Sequence, residues 1–260
     1  MSIKNLSLLI LSIATGSSFA ATTTSTSSFQ QFDNQYNLGY QLMGGNLSNN
    51  SACCTFTAQS VNLEVERLFD VGVWIDGNFG MLTAYQQPDL GTLNGGALGQ
   101  YPYFNTLNGK VGYAFNLVNN HLQLIPYGLI GRNANFTTAT ALSNSYSNLS
   151  QDYFYTSGVG ARLSYRINSA IMLYADQLFA YNYDDSGPDG SVQNTGFGTT
   201  FNANNFQSTS TIGARFNVAK NLQLGINGFW NGYKYQSSMP NTVYVPVSTY
   251  GTELSIGLTY

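Results

Sequence analysis

Apolar and polar side chains alternate along most of this 260-residue chain with a period of two, the mark of strands whose two faces meet different surroundings. The C-terminal stretch shows it most clearly. Tyr250, Thr252, Leu254, Ile256, Leu258 and Tyr260 fall on one face, and Gly251, Glu253, Ser255, Gly257 and Thr259 on the other. Such a strand, rising about 3.3 Å per residue and tilted about 45°, covers roughly 25 Å, the height of a lipid-facing band between two aromatic girdles. The same alternation predicts ten strands, over 34–44, 59–68, 71–85, 103–115, 121–133, 152–167, 170–183, 206–218, 221–235 and 249–260, with eight as the fallback if the first two do not pair. Pro126 interrupts the fifth, where a ladder donor is missing. Tight connections at 69–70, 116–120, 168–169 and 219–220 alternate with long polar ones at 45–58, 86–102, 134–151, 184–205 and 236–248. One rim therefore gathers turns and the other gathers loops, and an even strand count returns both ends to the turn rim. The expected fold is all-β, a transmembrane antiparallel up-and-down barrel.

The N-terminal residues "MSIKNLSLLILSIATGSSFA" put Lys4 before an apolar run and small residues at Ser18 and Ala20, the three parts of a secretory signal peptide over 1–20. The polar stretch 21–33 then reads as a flexible periplasmic tail, and 34–260 as the barrel. Composition supports a wall that meets lipid. Charged residues are 8% of the chain, where a soluble domain carries about 25%, while Tyr (19), Phe (16) and Gly (27) are abundant. Mean hydropathy is nevertheless near neutral at −0.10, because Asn, Ser, Thr and Gln stand where charges would. No later segment approaches the ~20 consecutive apolar residues of a spanning helix. Without Lys4 the chain holds eight basic and twelve acidic side chains, so nucleic-acid binding has no electrostatic support.

With the leader, the alternation and the terminal "LSIGLTY" in view, the chain resembles Gram-negative outer-membrane β-barrels of the small OmpA-like or OmpW-like kind. The resemblance implies residence in the outer membrane, with lipid and lipopolysaccharide as surroundings. It also implies that the barrel assembly machinery reads Tyr260 as the terminal aromatic signal.

Alternation places Glu64, Glu66, Asp76, Lys110, Arg162, Arg166, Arg215 and Glu253 on the inner face, and Arg132 and Asp176 are placed with them. Equal numbers of acids and bases in a narrow lumen pair across it, which plugs it; a conducting pore leaves one sign in excess. A narrow conducting pathway is the weaker alternative. The sole histidine, His121, falls in a turn with no Ser or acid beside it in sequence, which argues against His-dependent hydrolysis. Asp184, Asp185 and Asp189 fit no calcium-loop spacing and read as turn chemistry. Adjacent Cys53 and Cys54, in an oxidising compartment, have three readings: a strained vicinal disulfide, free thiols or an intermolecular link. Two Cys and one distant His do not assemble a structural zinc site, and no cofactor is expected. The expected role is a non-enzymatic barrel with a largely plugged lumen whose loops meet host or cell-surface ligands; the alternative is a narrow porin-like channel for small or hydrophobic solutes.

Overall fold

The computed structural model describes residues 29–49, 52–86, 103–118, 120–135, 152–184, 206–236 and 244–260. A helical turn, α1 (Gln30–Asp33), precedes eleven strands: β1 (Gln35–Asn49), β2 (Ala52–Leu68), β3 (Val73–Gln86), β4 (Tyr103–Tyr113), β5 (Phe115–Leu117), β6 (Leu122–Asn135), β7 (Asp152–Arg166), β8 (Ile171–Asp184), β9 (Phe206–Ala219), β10 (Leu222–Gln236) and β11 (Tyr244–Thr259). Apart from β4 and β5, sequence neighbours pair antiparallel, β1 pairs with β11 from Gln35↔Thr259 to Leu47↔Val247, and β4 pairs with β6. The sheet closes. Since β5 continues β4 beyond a break at Ala114, the wall has ten spans.

Pro126 accounts for that break. The β4–β6 ladder stops at Gly112↔Tyr127, one position short of the proline, and resumes as β5–β6 at Phe115↔Leu124. Pro126 has no N–H to give across the seam. The Ala114 N–H is satisfied instead by the Gly72 carbonyl at 2.8 Å, in the neighbouring turn. Gly72 itself adopts φ +88, a conformation open to glycine, and a Cβ there would press into the Tyr113 ring.

Two expectations about segment boundaries are corrected. The first long loop, 45–58, is instead a hairpin arm: β1 and β2 stay paired through Asn49↔Ala52, so the connection shrinks to residues 50–51. Backbone pairing extends a ladder whatever the polarity of its side chains, so the Asn/Ser-rich composition concealed the strand. Cys53 and Cys54 lie in that arm opposite Ser48 and Leu47, and their side chains are outside the described residues. The second correction concerns the tail. Residues 29–33 are not loose: Phe29 and Phe32 are fully buried inside the barrel, while residues 1–28 lie outside the described residues. Burial of two phenyl rings, each removing 150–250 Å² from water, holds this short turn in place. Asp184 ends β8, and Asp185 and Asp189 are outside the described residues.

Exposure follows the alternation. Along β11 and the residue after it, Tyr250, Thr252, Leu254, Ile256, Leu258 and Tyr260 are exposed, with the alternate residues turned inward. Leu38, Val111, Ile130, Val159 and Ile212 continue the outer apolar band around the wall. Tyr36, Tyr113, Tyr165 and Tyr260 ring its turn side, and Tyr155, Phe206, Trp230 and Tyr250 its loop side.

Candidate functional site

The inner face near the turn rim holds the buried core. Phe29, just before α1, and Phe32 within it pack into a cluster with Leu68, Trp74, Ile125 and Met172. Three polar contacts fix the segment from outside: Gln30 Nε2 donates to the Asp70 carboxylate at 2.7 Å, the Leu68 N–H donates to Asn34 Oδ1 at 2.7 Å, and Arg215 Nη1 donates to the Phe32 carbonyl at 3.1 Å. The N-terminal segment is thus built into the lumen as a plug.

Glu66 is the hub beside this plug. Its Oε1 accepts from Arg162 Nη1 at 2.6 Å and Trp74 Nε1 at 2.7 Å; its Oε2 accepts from Arg215 Nη2 at 2.6 Å and Gln35 Nε2 at 2.9 Å. Arg162 also faces Asp176 at 3.4 Å and Asp76 at 4.0 Å, and Lys110 donates to Asp76 at 2.8 Å. Arg215 reaches Asp33 at 3.3 Å. The phenol of Tyr127 donates to Asp176, and the Tyr174 ring lies between the two guanidiniums, 5.3 Å from that of Arg162 and 5.2 Å from that of Arg215. Inward glycines make room for these rings, since a Cβ on Gly160 would collide with Tyr127 and one on Gly213 with Tyr174. Buried charges are tolerated when each is paired and hydrogen-bonded, and here each carboxylate oxygen of Glu66 has two donors.

The other inward residues stand apart from this hub. Glu64 accepts from Asn37 Nδ2 at 2.8 Å, and Glu253 accepts from Asn62 Nδ2 at 2.6 Å and Asn227 Nδ2 at 3.5 Å, in space that Gly39 leaves open. Towards the loop rim the inner face continues as neutral amides and hydroxyls, including Gln41, Ser60, Asn78, Thr156, Thr209 and Asn231. Arg166 lies inward at the turn rim opposite the buried Met172, and none of the ion pairs among the described residues includes it. Tyr260 stacks on Tyr36 with ring centroids 4.9 Å apart, and its N–H donates to the Asn34 carbonyl at 3.2 Å, joining the two chain ends at the seam.

Arg132 requires a correction. The inward face of β6 is Gln123, Ile125, Tyr127 and Leu129, all buried; Arg132 shares the opposite face with Ile130, which is 68% exposed. Its guanidinium lies 5.8 Å from the ring of Tyr155, another outward residue and its cross-strand partner. Arg132 is therefore on the outer wall, where a long side chain can carry its charge towards the headgroup level. Sequence reading misjudged it because β6 is apolar on both faces: its inner side chains pack the plug.

Asp33 and Trp74, both central to the hub, were missed. Two phenylalanines three residues apart in a Ser/Thr-rich stretch were the available signal for the plug, and Trp74 sits on the same strand face as Asp76. Burial, reinforced by Glu66, pushes the Asp33 carboxyl up to about 7 against the opposing pull of Arg215 and Arg162.

His121 is exposed at the turn rim with its Nδ1 3.0 Å from the Arg166 carbonyl oxygen. Among the described residues no group of three or more His, Cys, Asp or Glu is placed to hold a metal ion.

An outward apolar band bounded by aromatics, a closed wall, and buried charges paired inside are the requirements of a barrel in lipid. This is a transmembrane β-barrel. No protein-family model matches the chain, and no curated protein matches it. Among solved structures, it is similar to the β domain of the Bordetella autotransporter BrkA, at 10% identity over 87% of this chain and 100% of that one, with a TM-score of 0.49. It is also similar to an outer membrane channel from Pseudomonas putida F1 (8% identity, 91% and 100% covered, TM-score 0.45) and to the outer membrane protease OmpT from Escherichia coli (10%, 88% and 97%, 0.43). These proteins differ in activity, and likeness at such identities carries no role to this chain.

Proposed function

We propose that this protein is a closed, non-enzymatic barrel whose rigid wall holds its long connections at the cell surface, where they meet ligands on host surfaces or other cells. The observation that supports this reading is what packs across the turn-side lumen, Phe29 and α1 together with the ion pairs of Glu66 with Arg162 and Arg215. A wall stiffened by a packed interior suits display, because connections anchored on a rigid scaffold keep their spacing whatever sequence they carry. Catalysis finds little support: His121 faces a backbone carbonyl at the turn rim, away from the loop side where a surface substrate would arrive. The test is planar-bilayer recording on the purified protein. The intact barrel should show no steady ion conductance, whereas a variant with Phe29 and Phe32 both replaced by Ala should open intermittently. Stable, ion-selective conductance from the unaltered protein would overturn the reading in favour of a narrow channel.

A further inference from the structure

The outer wall is not uniform. On β8 the lipid-facing residues run Leu173, Ala175, Gln177, Phe179 and Tyr181, so an amide stands midway along a face that is otherwise apolar or aromatic. Across the ladder Gln177 meets Ser210 of β9, and Phe179 meets Ser208. Both serines share the outward face of Ile212, between it and Phe206 at the loop-side girdle. Gln177 Nε2 donates to Ser208 Oγ at 3.1 Å and to the Leu178 carbonyl at 3.2 Å, and Gln177 Oε1 accepts from the Ser210 hydroxyl. The amide is thereby satisfied. Ser208 is not: its oxygen accepts from Gln177, and among the described residues its own O–H has no acceptor. A hydroxyl donor unpaired in hydrocarbon costs free energy that no acyl chain can return.

The two flanks of this polar patch are unlike. On the β7 side lies a groove of about 570 Å³ lined by Val111, Ile130, Val159 and Phe179, with Gly109 and Gly128 in its floor, where an added Cβ would meet nothing closer than 4.0 Å. On the β10 side Trp230, the cross-strand neighbour of Ser210, stands out from the wall at 46% exposure.

We propose that two copies of this chain associate in the membrane through this sector, about a twofold axis along the bilayer normal between β8 and β9. Such an axis sets β9 of each copy against β8 of the other, where Gln177 Oε1, with a second lone pair, accepts from the Ser208 hydroxyl of the opposite copy. It also sets β7 against β10, so Trp230 of one copy enters the groove of the other. The occupant follows from what the sector lacks and what it supplies. It lacks an acceptor at hydrocarbon depth, which lipid chains do not offer. Its flanks, a hollow and a projecting ring on strands equidistant from the axis, fit each other when the covering surface is the same one turned round. Between surfaces already in lipid, association rests on such close packing and hydrogen bonds.

Sedimentation equilibrium of the detergent-purified barrel in density-matched micelles, over a range of protein-to-detergent ratios, tests the assignment. The unaltered protein should fit a monomer–dimer equilibrium. Gln177→Leu, which removes the acceptor, and Ser208→Ala, which removes the donor, should each weaken association about ten-fold, because a twofold interface loses the contact twice. Gly128→Leu should weaken it by filling the groove, whereas Leu63→Ala on β2, across the barrel from the patch, should leave it unchanged. Heat-modifiable migration confirms that each variant is folded. A monomer at every ratio, whether bare or carrying lipid or another protein at the patch, association unchanged in both polar variants, or a loss as large in Leu63→Ala would each overturn the proposal.

Discussion

On the turn side of the lumen Glu66 is gripped by two guanidiniums, an indole and an amide, whereas further towards the loops Glu253 is held by the amides of Asn62 and Asn227. Both are inward carboxylates on strands of one wall. They differ in what happens when the charge is removed. Around Glu66 two of the partners, Arg162 and Arg215, are charged and buried, so loss of the carboxylate removes the counter-charge they share and leaves Arg162 to Asp176 and Asp76 and Arg215 to Asp33; around Glu253 the hydrogen-bond partners are neutral and can turn to one another or to water. The lesson is that an inner face of a barrel is not one environment. Here the turn side resembles a protein core built around ion pairs, and the loop side a lining of neutral amides and hydroxyls.

The largest expected effect is therefore at the hub. Glu66→Ala should destabilise the barrel by about 3 to 5 kcal/mol in urea unfolding from detergent, because Arg162 and Arg215 lose their shared counter-charge. A loss below 1 kcal/mol would show that water already screens the pairs and would erase the contrast between the two halves.

A second effect is the contribution of Asp33 to the pH dependence of stability. Asp33, packed against Glu66, Arg215 and Arg162, binds its proton up to about 7 in the folded barrel. The unfolded chain releases that proton near pH 4. Between these values the folded state holds more protons, so this contribution to stability is fully present below about pH 4 and is lost as pH rises towards 7. The urea midpoint should fall between pH 5 and pH 8 in the unaltered protein, and Asp33→Asn should flatten that fall. An equal slope in both proteins would remove Asp33 from the account.

The smallest effect belongs to the loop side. Glu253→Gln, which keeps the shape and a hydrogen-bonding head between Asn62 and Asn227, should cost about 1 kcal/mol or less. If it matches Glu66→Ala, the two halves behave as one core and the comparison fails.

Most of the wall was legible because alternation reports directly on which face meets lipid: β11 reads the same from its sequence and from its exposure. What escaped legibility traces to the plug. A lumen filled by Phe29 and Phe32 needs apolar inward residues, so Ile125 and Leu129 broke the polar-inside rule that would have fixed the face of Arg132. Four helical residues, "QQFD", are too few to show a period at all. The arm of β1 and β2 was hidden for the opposite reason, its polar composition imitating a loop although its backbone stays paired.

The hub also sets an order of events. Glu66, Arg162 and Arg215 come from β2, β7 and β9, which share no edge, so their contacts span the lumen rather than run along the sheet. Each hairpin can zip from its own turn, but the side chains 96 and 149 positions apart meet only when β11 has joined β1 around the plug. The two ion pairs thus behave as a latch: an open sheet holds the Glu66 carboxylate of β2 apart from the two guanidiniums of β7 and β9, and the hydrogen-bonded hub comes into being with the ring itself.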